Sequence, residues 1–256
     1  MRFSSLGSGS AGNCMVIEKN STRLLLDCGF GAGEIVKRLK KIDLAPEQIT
    51  GILVTHEHDD HAKGAFKLAA KYSIPAWLSH GSLKMCERYL PVNTKVILNI
   101  IDSHTRFQIE DIEISPYPVP HDAREPTQFT FSDGEYKLGV LTDAGASTQH
   151  IEQVLSGCDA LVLECNHDIH MLENGAYPYS LKKRVGSRLG HLDNASAASL
   201  LSKLDNTKLK HIIAAHLSAK NNTPELAKKA LSQVLNCEQD WIGIAAQDAG
   251  FAWRGF

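Results

Sequence analysis

Thr55-His56-Glu57-His58-Asp59-Asp60-His61 is the stretch that decides the fold of this chain, and it directly follows the apolar run Ile52-Leu53-Val54, which predicts a buried strand. Side chains two apart in an extended segment point the same way, so His56 and His58 can converge on one cation. A turn into a helix at Asp60 would place that carboxylate and His61 around a second cation, roughly 3.5–4 Å away as in two-metal hydrolases. A polar loop that merely caps a helix is the alternative. Three histidines in this spacing favour a metal site, since imidazole suits zinc and carboxylate also accepts manganese.

The composition is that of an ordinary globular protein. The chain has 256 residues, of which 43% are hydrophobic and 22% charged, enough for one sizeable domain over residues 1–256. Its formal net charge is −2, so bulk charge gives no argument for nucleic-acid binding. The first residues lack the apolar run of a signal peptide, and no stretch approaches the roughly 20 apolar residues of a membrane span. We therefore expect a cytoplasmic protein without membrane contact.

Further polar residues follow apolar strands along the chain. Asp27 follows Leu24–Leu26, His121 follows Val119-Pro120, Asp143 follows Val140–Thr142, and His216 follows Leu209–Ala215. Strand ends on one edge of a sheet are where α/β sites assemble, so we expect these residues to lie near the histidine-rich segment. A carboxylate at the end of an apolar strand needs a partner, and Asp27 is expected to brace a metal ligand from behind.

The order of elements predicts an α/β sandwich, with two mixed β-sheets packed face to face and helices on both outer faces. Residues 94–142 alternate with period two and predict a run of antiparallel strands that begins at 95–98. Residues 180–189 predict a helix that places Arg184 and Arg188 one turn apart. The loop over 7–13 is either a plain turn or a nest of backbone N–H groups for an anion.

These residues together resemble a known family. An Asp after an early strand, an HxHxDH segment, and isolated His, Asp and His residues at later strand ends are similar to the metallo-β-lactamase fold. The finer resemblance is to its YycJ (WalJ) subgroup and, more distantly, to ribonuclease Z; it rests on the segments Ser5–Asn13, His121-Asp122-Ala123, Glu164–Asp168, Gly190-His191-Leu192 and His216-Leu217-Ser218.

The resemblance implies a dinuclear metal-dependent phosphodiesterase that acts on nucleic acid, with DNA digested from the 5′ end and DNA favoured over RNA. It implies two divalent ions, zinc or manganese, one held by His56, His58 and His121 and the other by Asp60, His61 and His216, with Asp143 bridging them. Two cations that share a water lower its pKa and supply a hydroxide that attacks the scissile phosphate.

Catalytic roles follow from the same resemblance, whereas substrate-binding roles follow from the basic cluster before His191 and from the early Gly/Ser loop. His191 is expected to act as general acid, with Glu164 or His167 fixing its tautomer, and Asp60 to orient the nucleophile. Arg184, Arg188, Ser10 and Asn13 are expected to contact substrate phosphates, because guanidinium groups and backbone N–H groups suit phosphate oxygens.

Two other functions stay open from the sequence. A small-molecule hydrolase of the same fold, for a thioester, lactone or β-lactam, would share the HxHxDH segment. A non-catalytic regulatory scaffold would be expected to have lost metal ligands, and none of the seven is missing. The loop around His191 favours a phosphodiester substrate.

Overall fold

The computed structural model describes residues 1–92 and 94–256, which form two seven-stranded sheets. The first sheet has the order β14-β1-β2-β3-β4-β5-β6, and the second has the order β13-β12-β11-β10-β9-β8-β7. The strands of the first sheet are β1 Arg2–Gly7, β2 Cys14–Lys19, β3 Thr22–Leu26, β4 Gly51–Leu53, β5 Ala76–Ser79, β6 Leu98–Ile101 and β14 Phe251–Gly255. Those of the second are β7 Phe107–Ile109, β8 Ile112–Pro118, β9 Thr127–Ser132, β10 Lys137–Leu141, β11 Ala160–Glu164, β12 His211–Ala215 and β13 Gly243–Ile244.

Both sheets are mixed. In the first, β1, β2, β3 and β14 pair antiparallel, while β3 through β6 pair parallel. In the second, β7 through β10 pair antiparallel, while β10 through β13 pair parallel. The parallel strands need crossover connections, and helices supply most of these on the outer faces.

Nine α-helices lie among the described residues. They are α1 Ala32–Lys40, α2 Asp59–Ala62, α3 Ala65–Tyr72, α4 His80–Cys86, α5 Gln149–Leu155, α6 Ile169–Asn174, α7 Tyr179–Val185, α8 Asn194–Lys203 and α9 Pro224–Leu235. Side-chain caps begin several of them: the hydroxyl of Thr223 accepts the N–H of Leu226 at α9, and Asp193 accepts N–H groups at α8.

Strict alternation along the strands divides the apolar residues into three layers. In β3, Leu24 and Leu26 point between the sheets, while Leu25 points outward to the helices. In β11, Val162 points inward, and its neighbours point to the second helical layer. Helices α1 and α3 cover the first sheet, and α5, α8 and α9 cover the second. The α/β sandwich predicted from the sequence is therefore confirmed.

Three details of the predicted elements are wrong. The strand expected at 95–98 lies at Leu98–Ile101, and it pairs parallel with β5 in the first sheet rather than joining the antiparallel run. The helix expected over 180–189 ends at Val185, with Gly186 as its C-cap, so Arg188 lies outside it. Helix α6 was not predicted; it is short and begins at the cap Asp168. Within the described residues, every helix is too short or too polar to cross a bilayer.

Candidate active site

The seven predicted metal ligands come together at one edge of the two sheets. His56 and His58 follow β4, His121 follows β8, Asp143 follows β10, and His216 follows β12. Helix α2 begins at Asp59 and carries the remaining two, Asp60 and His61. The carboxyl ends of parallel strands meet at this edge, which explains why residues so distant in sequence converge.

The donors form two groups that share a neighbour. We call His56, His58 and His121 the first half-site: Nε2 of His56 lies 3.0 Å from Nδ1 of His58, which lies 3.3 Å from Nε2 of His121. We call Asp60, His61, Asp143 and His216 the second half-site.

The shared neighbour is Asp143, which belongs to the second half-site and reaches toward the first. Its Oδ2 lies 2.9 Å from Nε2 of His61, and its Oδ1 lies 3.6 Å from Nε2 of His216. The same Oδ1 lies 4.0 Å from Nε2 of His121. The carboxylate therefore stands between the two groups.

Hydrogen bonds behind the rings fix which nitrogen faces the centre. Nδ1 of His121 donates to the carbonyl oxygen of Gly190, which can only accept, so Nε2 keeps its lone pair. Nδ1 of His61 contacts Asp27 at 2.8 Å, and Nδ1 of His216 contacts Glu164 at 3.2 Å. The inward lone pairs that a metal needs are thus set by the surrounding protein.

Asp27 has the bracing role expected for it. It is buried, and besides His61 it accepts the backbone N–H and the hydroxyl of Thr55. The same hydroxyl contacts Nδ1 of His56 at 2.9 Å. Gly29 allows this packing, because a Cβ there would lie 1.7 Å from the carbonyl oxygen of Asp60.

Three site residues leave their strands in the left-handed backbone region. Asp27, Asp143 and His216 have φ of 60°, 52° and 54°. Such a conformation is uncommon for residues with a side chain and is least costly for Asp and Asn. It marks a local turn at the end of β3, β10 and β12, where each side chain reaches the ligand cluster.

Electrostatics differ between the half-sites. Burial lowers the pKa of His56 well below its usual value, and the neighbouring His61 lowers it further. Burial also lowers the pKa of His61 and of His216, but facing carboxylates, Asp143 above all, outweigh it; the pKa of His61 is raised well above its usual value and that of His216 to about 10. Burial raises the pKa of Asp143, yet His216 and His61 hold that pKa well below its usual range.

These residues fit divalent metal ions. Among the described residues, no donor meets the buried Oδ2 of Asp143 in hydrogen-bond geometry, although Nε2 of His61 is near. A buried carboxylate oxygen without a well-aligned hydrogen-bond donor is costly unless a cation lies against it. The first half-site offers three imidazole nitrogens and the second a mixture of nitrogen and carboxylate oxygen, which suits zinc or manganese.

A cleft of about 390 Å³ opens over the ligands. Asp60, Asp143, His191 and His216 line its floor. Nδ1 of His191 contacts Oε1 of Glu164 at 2.8 Å, which leaves Nε2 toward the open side. Burial lowers the pKa of His191, but the charge of Glu164 outweighs burial and raises it. Of the two partners expected for His191, Glu164 makes the contact.

His167 does not make that contact. It bonds instead to Asn166, and its backbone pairs with Asp193.

The residues expected to bind substrate are only partly in the cleft. Ser10 and Arg184 line it, and Nε of Arg184 donates to Asp122 there. Arg188 is exposed beyond the end of α7 and is not part of the lining. Asn13 is buried, and its amide donates to the carbonyl oxygens of Gly9 and Asp60, so its side chain braces the loop.

The anion nest considered for this loop is not formed. The N–H of Gly9 donates to the Asn13 side chain, that of Ala11 to Gln247, and that of Gly12 back to Gly9. The N–H of Asn13 donates to Asp60. A long-range contact with Gln247, which no local pattern could indicate, uses one of the groups that an anion would need.

Sequence reasoning missed three contributors. Glu57 lies between two ligands in the motif, and its Oε1 accepts the backbone N–H of Arg124, which ties the loop after His121 to the histidine-rich segment. Tyr177 and Arg88 line the cleft from segments that carry no motif.

A family model, described as the β-lactamase superfamily domain, matches residues 22–216. The chain belongs to this superfamily, has the metallo-β-lactamase fold, and is a metal-dependent hydrolase. It is 38% identical over 247 residues to exodeoxyribonuclease YycJ of Bacillus anthracis. The aligned region covers 95% of this chain and 92% of that protein.

Solved structures show the same fold. The metallo-β-lactamase fold protein YhfI of Bacillus subtilis matches with a TM-score of 0.77 and 16% identity, covering 99% of this chain and 98% of its own. The short form of human tRNase Z matches with a TM-score of 0.68 and 17% identity, covering 100% and 99%. The expected resemblance to the YycJ subgroup and to ribonuclease Z is confirmed.

Proposed function

We propose that this chain, acting as one domain, is a DNA exonuclease that digests from the 5′ end with two divalent ions, zinc or manganese. The observation that carries the proposal is the pairing of His191 with Glu164 beside seven converged ligands at the floor of one cleft. The 38% identity to an exodeoxyribonuclease supports DNA as the substrate.

When bound, the two ions would lower the pKa of a shared water and offset the negative charge that develops on the phosphate. His56, His58 and His121 would hold one ion, and Asp60, His61 and His216 the other, with Asp143 between them.

Asp60 is our candidate to orient the attacking water. Its side chain is 22% exposed at the floor of the cleft, whereas that of Asp143 is 2% exposed. Asp60 can therefore reach both a bound ion and a water in the cleft, and Asp143 is restricted to bridging.

His191 would protonate the leaving oxygen. Hydrolysis joins the water oxygen to phosphorus and breaks the bond from phosphorus to the leaving nucleoside oxygen, which then takes a proton from Nε2. Glu164 holds the ring in the orientation that keeps this nitrogen toward the substrate. Arg184, at the wall of the cleft, would contact a phosphate oxygen; Ser10 would contact the substrate from the opposite loop.

The test is hydrolysis of single- and double-stranded DNA labelled at the 5′ or 3′ end, beside RNA, a thioester and bis-p-nitrophenyl phosphate, with manganese and zinc in turn. We expect mononucleotides to be released first from the 5′ label and His58→Ala to abolish all hydrolysis. Faster cleavage of the thioester than of DNA would overturn the proposal in favour of a small-molecule hydrolase.

A second variant tests the general acid. His191→Ala should lower the rate of DNA hydrolysis by about 100-fold to 10,000-fold, the range for loss of a general acid, while the metal content stays that of the wild type. Loss of metal in this variant would show that His191 acts as a ligand instead.

A further inference from the structure

Helix α7 separates the catalytic cleft from a second depression. Leu181, Arg184 and Val185 face the cleft, whereas Tyr179, Lys182 and Lys183 face the other side. There they line a space of about 540 Å³, which we call the outer groove, together with Ile169 and Leu172 of α6.

The outer groove lies in a cationic segment of the chain. Residues 174–192 contain four cationic side chains, Lys182, Lys183, Arg184 and Arg188, and no carboxylate, although the whole chain has a net charge of −2. Within the described residues, no carboxylate lies within salt-bridge distance of Lys183. Exposed cations without partners favour a polyanion.

Two carboxylates also face the outer groove. Asp193 is occupied as the cap of α8, where it accepts the N–H groups of Ala195 and Ser196. Glu173 is exposed beside Lys182, whose amine donates to the Glu173 carbonyl oxygen. Both carboxylates oppose a phosphate, and Glu173 is the more exposed of the two.

Aromatic and apolar surface lies beside these cations. Tyr179 is 81% exposed and Ile169 is 47% exposed. Two residues earlier, Tyr177 lines the catalytic cleft, so one tyrosine stands on each side of the turn into α7. Exposed rings next to unpaired cations are the combination that binds unpaired bases and their phosphates.

Hydrogen bonds to the backbone of residues 174–192 connect this segment to the catalytic residues. The N–H of His191 donates to the carbonyl oxygen of Val185 at 2.9 Å, and Nδ1 of His121 contacts the Gly190 carbonyl oxygen at 3.0 Å. The N–H of Asp122 donates to Leu189. A strand held on α7 would therefore be held at a fixed place relative to the metal ligands.

We propose that the outer groove binds single-stranded DNA, with a base stacked on Tyr179 and a phosphate on Lys183, while the scissile phosphate lies in the cleft; this rests on the nuclease function proposed above. A single strand fits because its base faces are open for stacking, whereas those of a duplex are covered. A helix is about 10–12 Å across, so the strand would cross that width between the outer groove and the cleft.

The test measures binding without turnover. Metal-loaded full-length protein is titrated with a fluorescent phosphorothioate 12-mer, single-stranded or annealed to its complement. Tyr179→Ala should weaken binding of the single strand by about 5-fold to 150-fold, the range for loss of one stacked base. Tyr179→Phe should bind as the wild type does, because it keeps the ring.

Salt dependence tests the cation. Lys183→Ala should lower the slope of log K against log salt by about 0.7, the contribution of one phosphate contact on a single strand. Lys208→Ala is the matched control, since Lys208 is exposed in the turn before β12, at the opposite end of that strand from His216.

Equal binding of the single strand by Tyr179→Ala and Tyr179→Phe would overturn the inference. So would an equal loss of affinity for single strand and duplex, because that loss would not come from stacking. Either result, found with a protein that still digests DNA, leaves the nuclease proposal standing. If the protein binds the single strand but hydrolyses neither DNA nor bis-p-nitrophenyl phosphate, the nuclease proposal is contradicted and the binding inference is not.

Discussion

The two half-sites lie side by side but are built from different chemistry. The first has three imidazoles and no carboxylate of its own, whereas the second has two imidazoles and two carboxylates. The partners behind the rings differ in the same way. In the first they are neutral, the Thr55 hydroxyl and the Gly190 carbonyl; in the second they are the buried carboxylates Asp27 and Glu164.

The difference teaches that negative charge is concentrated on one side of the site. A dication in the second half-site would face Asp60 and Asp143 directly, with two more carboxylates behind the rings. Attraction between buried charges is screened less than at the surface, so we expect the second half-site to hold its ion more tightly. Carboxylate behind an imidazole also makes the ring a stronger ligand.

Removal of both ions should have the largest effect. Chelation should abolish hydrolysis and lower the melting temperature by about 8–16 °C for each ion removed, if free metal had been about 1,000-fold above the dissociation constant of each half-site. Calorimetry before and after chelation and re-addition of metal measures this. An unchanged melting temperature would contradict the buried, uncompensated Asp143 oxygen as a metal ligand.

The order in which the two half-sites lose their ions tests the expected difference in metal affinity. His58→Ala should keep an ion in the second half-site, and His61→Ala should keep one in the first. With increasing chelator, metal analysis should find that His61→Ala loses its ion at the lower concentration. The reverse order would break the argument from charge.

Loss of the shared carboxylate, Asp143, should have the next largest effect on hydrolysis. Asp143→Asn keeps a residue that tolerates the left-handed backbone, so it tests charge rather than folding. We expect hydrolysis to fall by more than about 100-fold, beyond the range for residues that only orient a ligand. Steady-state rates with added manganese measure it, and a variant with a tenth of wild-type activity would show that Asp143 does not bridge.

Loss of a carboxylate that only contacts a ligand from behind should have a smaller effect on metal affinity. Asp27→Asn should weaken one ion by about 10-fold to 100-fold and leave the other unchanged, because Asp27 contacts His61 but no ring of the first half-site. Calorimetric titration of metal into the stripped protein resolves the two ions. Equal weakening of both would mean that the half-sites are not independent.

The smallest expected effect is at the loop that braces Asp60. Asn13→Ala removes the amide that donates to the Asp60 carbonyl oxygen, a hydrogen bond worth about 0.5–1.5 kcal/mol, and should weaken the ion of the second half-site by about 2-fold to 12-fold. The same titration measures it, with Ser10→Ala as a control on the exposed part of the loop. A larger shift at the first half-site would be inconsistent with this geometry.

The convergence of the seven candidate ligands could be predicted because it follows from local pattern. Asp60 and His61 lie in the helix that follows the histidine-rich loop, the other five follow apolar strands, and parallel strands bring such ends to one edge regardless of distance along the chain. Asp143 and His216 needed only that rule, and the two-sheet sandwich followed from the order of strands and helices along the chain.

The remaining features depend on contacts between distant segments. Nothing near Asn13 or Ala11 in the sequence indicates that Gln247 occupies the loop. The position of Arg188 depended on where α7 ends, and helix ends are poorly defined by apolar period alone. Which side of α7 faces the cleft, and so the separation of Tyr179 from Arg184, is decided by tertiary packing.

The order of the ligands along the chain has a consequence for biosynthesis. All three donors of the first half-site lie within residues 56–121, whereas the second waits for His216. Because a protein emerges from the ribosome amino end first, at about 5–20 residues per second, a nascent chain displays the nitrogen-only trio several seconds before the second set is complete. Metal uptake during translation would thus start at the half-site that we expect to hold its ion less tightly, and that ion would have to be retained, or exchanged, once His216 follows β12 out of the ribosome.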